Sequence, residues 1–274
     1  MTTSTLTPSA TAPLTTAPLT TAASSPLARI GTATRQLGLV LQWNVNRMRS
    51  WLPLTIVVQV MMTVLTVLGY GMLIGTPTPQ AAVFLATGAV TVQMLMMGLV
   101  MVPQAVGQSK TEGSLAWMRT LPVPRLVFFL ADMLTYALLA LPGTVLALVV
   151  GAWHYGISLS VSVWALPAAL LVALISTSVG YALAMLLPPL VAGLISQVLV
   201  FVVLMFSPVS FPAANLPGWL AVVHEWLPIA SMADLMRATL ASDTFTMSLR
   251  AGLVLAAWTV LAVIGAIRVL SRRV

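Results

Sequence analysis

The chain has 274 residues, of which 59% are hydrophobic and only 6% charged, with a mean hydropathy of +1.04. A soluble globular domain carries about 25% charged residues, so this composition excludes one and identifies an integral membrane protein. Twelve bases against five acids give a net charge of +7, but the bases sit near the ends of apolar segments, where they report membrane topology and not nucleic-acid binding.

Residues 1–26 are Thr, Ala, Ser and Pro with a repeated TAPLT at 11–15 and 16–20 and no charged side chain, a composition expected for a disordered tail. They lack the basic and apolar regions of a secretory signal, so the tail is expected to stay on the mature chain. Residues 26–50 follow, with Leu27, Ile30, Leu37, Val40, Leu41 and Val45 at helical spacing among Arg, Gln and Asn. This pattern predicts an amphipathic helix lying on an anionic inner leaflet.

A span needs about 20 apolar residues, and six segments supply them: residues 53–74, 81–102, 126–150, 163–187, 190–209 and 251–269. Between the second and third lies 104–125, QAVGQSKTEGSLAWMRTLPVPR, in which Gly107 and Gly113 bracket a polar portion. A short helix is expected within 114–120, stopped by Pro122 and Pro124. Residues 206–237 are too polar and proline-broken to span, yet too apolar for an ordinary loop. Pro208, Pro212, Pro217 and Pro228 divide this stretch into two short amphipathic pieces. An interfacial placement suits them, with Trp219 and Trp226 at headgroup depth.

The bases set the orientation. Arg29, Arg35, Arg47 and Arg49 precede the first span, Lys110, Arg119 and Arg125 lie between the second and third, and Arg268, Arg272 and Arg273 end the chain. With six spans and both termini cytoplasmic, only Arg237 and Arg250 fall outside, and the 206–237 stretch is external.

No charged side chain occurs from Met133 through His224 when histidine is counted neutral, which disfavours a transporter or channel working without ATP through ionisable groups at the midplane. An intramembrane enzyme is disfavoured too: Ser176, Ser178 and Ser196 are present but no G-x-S-x-G. Small polar residues inside spans are more simply helix-packing groups. His224 and Glu225 do not form H-E-x-x-H, and no metal ligand set is expected, cysteine being absent altogether. Asp132 is read as an interfacial carboxylate at a helix start. The second span carries Gln93, Met97 and Met101 and the fifth Gln197, Phe201 and Met205. Methionine-rich surfaces adapt to varied apolar ligands, so these six are candidates for a substrate path, although packing and lipid contact is the simpler reading.

These motifs resemble the ABC-2 type permease family, the membrane subunits of ATP-binding-cassette exporters. One match is Ser207-Pro208-Val209-Ser210-Phe211-Pro212 continuing to Asn215-Leu216-Pro217-Gly218-Trp219, then Leu227-Pro228-Ile229 and Asp234 to Arg237; the other is Glu112-Gly113-Ser114-Leu115 with Leu121-Pro122-Val123-Pro124-Arg125. Leu227 stands where many members have Asn, and Ser114 where many have Thr. The likeness covers residues 27–274 and implies an all-α domain of six transmembrane helices. It implies an N-terminal connecting helix, a coupling loop at 104–125 and an external re-entrant hairpin at 211–228.

It further implies a homo- or heterodimer of permeases that binds two ATPase subunits in the cytoplasmic membrane. The coupling residues would be Glu112, Gly113, Ser114, Leu115, Arg119 and Arg125, although positive-inside anchoring explains the two arginines equally well. The external gate would comprise Phe211, Pro212, Leu216, Pro217, Trp219, Glu225 and Trp226. No G-x-x-x-x-G-K-[ST] loop occurs, so ATP and Mg are expected on the partner ATPase, with no cofactor on this non-catalytic subunit. The expected cargo is an amphipathic small molecule: a drug, an antibiotic or a lipid-like compound.

Overall fold

In lipid every backbone polar group must find its partner inside the protein, and the long apolar segments meet this demand as helices. The computed structural model describes residues 26–74, 78–118, 120–209, 212 and 216–271. Its helices are α1 (Pro26–Met48), α2 (Leu52–Ile74), α3 (Pro79–Met96), α4 (Val102–Thr111), α5 (Ser114–Met118), α6 (Arg125–Tyr155), α7 (Ala165–Leu186), α8 (Pro189–Phe206), α9 (Gly218–Trp226), α10 (Pro228–Leu240) and α11 (Leu249–Ser271). Six of the helical stretches are long and apolar enough to cross a membrane.

The second of these stretches is the hub of the bundle. Its most apolar window is 83% buried, against 22% for the α8 window. Helix α3 starts at an N-cap, where the Thr78 hydroxyl accepts from the Ala81 amide at 3.4 Å, with Pro79 at a position that needs no amide partner. It continues into α4 through a π-helical turn, Met97–Met101. Pro103 offers a reason for that turn: it cannot donate to the Leu99 carbonyl, and its ring would crowd a regular α-turn.

Around this turn the backbone touches α7 directly. A Cβ on Gly98 would lie 2.3 Å from the Ser176 hydroxyl, and one on Gly180 would lie 2.1 Å from the Gly98 carbonyl. Small residues allow this approach, as they do in membrane bundles generally. Gly193, by contrast, faces open space.

The structure corrects the expected loop at 104–125. Its first part, Gln104 to Thr111, is a continuation of the α3 rod and not a connection. Gly107 does not break the helix, because its missing side chain gives room to Pro189, which a Cβ would meet at 3.2 Å. The third span also extends further than read, to Tyr155. Gly156, at φ 63°, ends it in the left-handed conformation that favours glycine.

Pro142 sits inside α6, where it frees carbonyls of the preceding turn. Side chains from α2 reach the α6 backbone on either side of this proline: Gln59 donates to the Leu139 carbonyl at 2.7 Å and Thr63 to the Gly143 carbonyl at 3.4 Å. Gln93 of α3 donates to the Thr63 hydroxyl at 2.7 Å, so one polar ladder ties α2, α3 and α6. At the start of α6, Val40 of α1 packs with Val127 and Ala131.

Candidate functional site

At the end of the bundle where α4, α5 and α6 meet, the chain turns sharply. Glu112 caps the end of α4, Gly113 takes φ 74°, and α5 follows. Only glycine enters that backbone region without strain, so Gly113 sets the direction of α5. Both carboxylate oxygens of Glu112 are engaged: Gln108 donates to one at 2.7 Å and Arg47 of α1 to the other at 3.3 Å. The Ser114 hydroxyl donates to the Ser109 carbonyl at 3.3 Å. Trp43 of α1 meets Trp117 of α5 with ring centroids 6.4 Å apart, and Trp117 remains half-exposed.

Lys110, which in the sequence counts only toward orientation, donates through its ammonium to the carbonyls of Ala184, Met185 and Leu187. These are the orphan acceptors at the end of α7, where a cation is favoured, so the α4 end is fastened to α7. Of the expected coupling residues, Glu112, Gly113 and Ser114 meet at this turn, Leu115 lies within α5, and Arg125 begins α6. Arg119 lies outside the described residues.

The six candidate path residues are not brought together within this chain. Gln93 and Met97 are buried in the interior, Gln93 as a member of the ladder above and Met97 beside the Gln59 amide at 3.6 Å. On α8 the inward face is Ala192, Ser196, Val200 and Val203, whereas Gln197, Phe201 and Met205 point outward. Met101 is partly buried against the core. Of the serines considered for catalysis, Ser176 donates to the Val172 carbonyl at 2.8 Å and Ser178 to that of Leu174 at 2.6 Å, each within its own helix, whereas the buried Ser196 hydroxyl meets no partner among the described residues.

At the opposite end, α9 and α10 are two short helices separated at Leu227-Pro228. Trp219, Glu225 and Trp226 of α9 are exposed, as are Pro212 and Pro217, and Leu216 is partly so. Phe211 lies outside the described residues. Glu225 pairs with Arg250 of α11 at 2.6 Å, Arg250 lies 5.1 Å from the Trp226 ring, and the Trp258 indole donates to the Trp226 carbonyl at 2.9 Å. His224 is turned inward with Nδ1 at 2.9 Å from the Leu220 carbonyl. Among the described residues no three His, Asp or Glu side chains converge as a metal site would need.

Arg237 is the anchor of this end. It is buried, donates to Asp234 at 2.7 Å and to the Val209 carbonyl at 2.9 Å, and stacks 3.5 Å from the Phe84 ring centre. Burial pulls its guanidinium down to about 10, opposed by the neighbouring Asp234. Burial likewise pushes the Asp234 carboxyl up, opposed by Arg237. The sequence marked this pair as part of the family-like segment Asp234 to Arg237 and did not signal the burial of Arg237.

Comparison with curated proteins finds no match to this chain. The model of the family described as ABC-2 type transporter matches residues 35–241. That stretch takes in most of α1, the turn at Glu112–Gly113, the α9–α10 pair and the Arg237 anchor, and the chain belongs to this family of ABC transporter membrane components.

Proposed function

We propose that this chain is the permease subunit of an ATP-driven exporter that moves amphipathic small molecules, of drug, antibiotic or lipid-like character, across the cytoplasmic membrane. A separate ATPase supplies the energy. Two such ATPase subunits serve a homo- or heterodimer of permeases, with ATP and Mg held on the ATPase and both permease termini in the cytoplasm. The observation that carries this reading is the α3–α4 rod. Buried along most of its length, it ends in a glycine turn and a short helix that offers Trp117 to solvent.

A push on α5 by a closing ATPase pair is delivered to Glu112, Gly113 and Ser114. It then passes along the rod and through Lys110 to the end of α7. Leu115, Arg119 and Arg125 complete the docking surface in this reading. At the far end α9 and α10 act as a re-entrant external gate, latched to α11 by the Glu225–Arg250 pair. The outward-facing Gln197, Phe201 and Met205 face a second permease across a substrate path. Gln93, Met97 and Met101 belong to the same path behind them.

Co-expression with candidate ABC ATPases tests the reading. The expected result is a copurifying complex whose ATP hydrolysis rises with an amphipathic substrate and falls on replacement of Trp117 by Ala. Failure to copurify with any ATPase overturns it.

A further inference from the structure

A cavity of about 470 Å³ opens beside the α4–α5 turn, between α1, the start of α2, α4, α6 and α7. It is of the size that holds a drug-like molecule. Its wall is aromatic: Trp43, Trp51, Phe128, Phe129, Tyr136 and Tyr181 all line it. Phe129 and Tyr181 brace each other edge to face at 5.3 Å, so that side is rigid.

The charges around the cavity are unevenly placed. At the rim, Arg47 and Glu112 satisfy one another at 3.3 Å, both part-exposed, and Arg47 also leans on the Trp43 ring at 5.5 Å. Arg125 lines the cavity and has an interaction of its own. Asp132 lies deeper, on α6. One of its oxygens accepts from the Asn44 amide at 2.6 Å, and Asn44 also donates to Thr135 at 3.2 Å. The carboxylate forms no ion pair within 4 Å among the described residues. Arg47 acts on this carboxylate from the rim, beyond ion-pair distance, so its hydrogen-bonding partner is a neutral amide, and the inner, aromatic-walled end of the space is a poorer place for an anion than for a cation. Carboxylate attraction and ring faces act together on a positively charged ligand.

We propose that this cavity is a binding site for an amphipathic organic cation, its charge set toward Asp132 and its apolar groups against the aromatic wall. The cavity takes one wall, Trp43, Asn44, Arg47 and Met48, from α1, the helix expected on the leaflet surface. Its role as a loading site for export rests on the function proposed above; the binding itself does not.

The test uses the full chain in lipid nanodiscs with tetraphenylphosphonium as the probe and tetraphenylborate, of the same shape and opposite charge, as its control. Quenching of tryptophan fluorescence reads the binding, because Trp43 and Trp51 line the cavity. Saturable quenching by the phosphonium is expected, above the non-saturable background that both ions give by partitioning into lipid. Asp132→Asn, which keeps an acceptor for Asn44, is expected to weaken it at least tenfold. Gln104→Trp, which fills the mouth, should weaken it as well and guards against a folding defect specific to the first variant. Equal affinity in Asp132→Asn, or saturable binding of the borate at the same strength, overturns the proposal. No saturable binding to the unaltered chain while an ATPase complex still exports substrate overturns this site alone; saturable binding by a chain that copurifies with no ATPase in co-expression overturns the exporter reading alone.

Discussion

Arg237 shows how a single charge can locate a chain segment without stabilising it on its own account. Its guanidinium is pulled down to about 10 by burial. The contribution of this ionisation therefore appears only as pH rises through and above that value, and it is absent at neutral pH. The Asp234 carboxyl, pushed up by burial, contributes only as pH falls through its raised value toward the ordinary carboxylate range. At neutral pH both charges cost free energy. What holds α10 is therefore the geometry around Arg237: the Val209 carbonyl, Asp234 and the Phe84 face. Arg237→Ala is expected to destabilise the protein by about 2–4 kcal/mol, the scale of truncating a buried charged group, read as a lower thermal unfolding midpoint in detergent. Arg237→Lys should recover little, because an ammonium cannot reach both acceptors while stacking on a ring; full recovery by lysine would show that charge alone matters.

Among the elements, the α3–α4 rod depends on close backbone approach at its π-turn. Gly98→Ala places a methyl 2.6 Å from the Ser176 backbone, which no rotamer change can relieve. An overpacking cost of about 1–3 kcal/mol or more is expected, together with weakened ATPase stimulation by substrate as α7 is pushed from the rod. Gly69→Ala, with open space around it, should be neutral or slightly stabilising. Thermal unfolding of the two variants side by side checks the contrast, and equal losses would contradict it.

The same helices show where the sequence was legible. Breakers at helix ends read correctly, as at Pro122, Pro124 and Leu227-Pro228, because proline removes a backbone donor and disfavours helix at the residue before it; Pro142, held inside α6, shows that packing can override the same signal. Gly107 read as a loop signal and is a packing contact. Local propensity cannot say that Pro189, 82 positions away, needs the space. Gln59 and Thr63 carried no visible signal, since their partners, the Leu139 and Gly143 carbonyls, lie on another helix.

For the whole molecule, the proposed topology is open to direct measurement because the chain has no cysteine. Thr120→Cys and Asp243→Cys place single exposed thiols in connections at opposite ends of the bundle. In intact cells a membrane-impermeant maleimide is expected to label the Asp243→Cys protein. The Thr120→Cys protein should react only after permeabilisation, and the reverse pattern would invert the topology.

The sequence by itself determined that the chain crosses a membrane, with six helical stretches, and it placed the motifs at the Glu112 and Leu227-Pro228 turns. Length and hydropathy suffice for that, since the hydrocarbon core demands long apolar helices. Only the tertiary structure decided which span is central. The α8 window, at a mean hydropathy of 2.4, is peripheral, while the window within α3–α4, at 1.9, is the most buried. Lipid is as apolar as a protein interior, so hydropathy cannot tell the two environments apart. Small residues, polar ladders and the cavity around Asp132 exist only where helices meet.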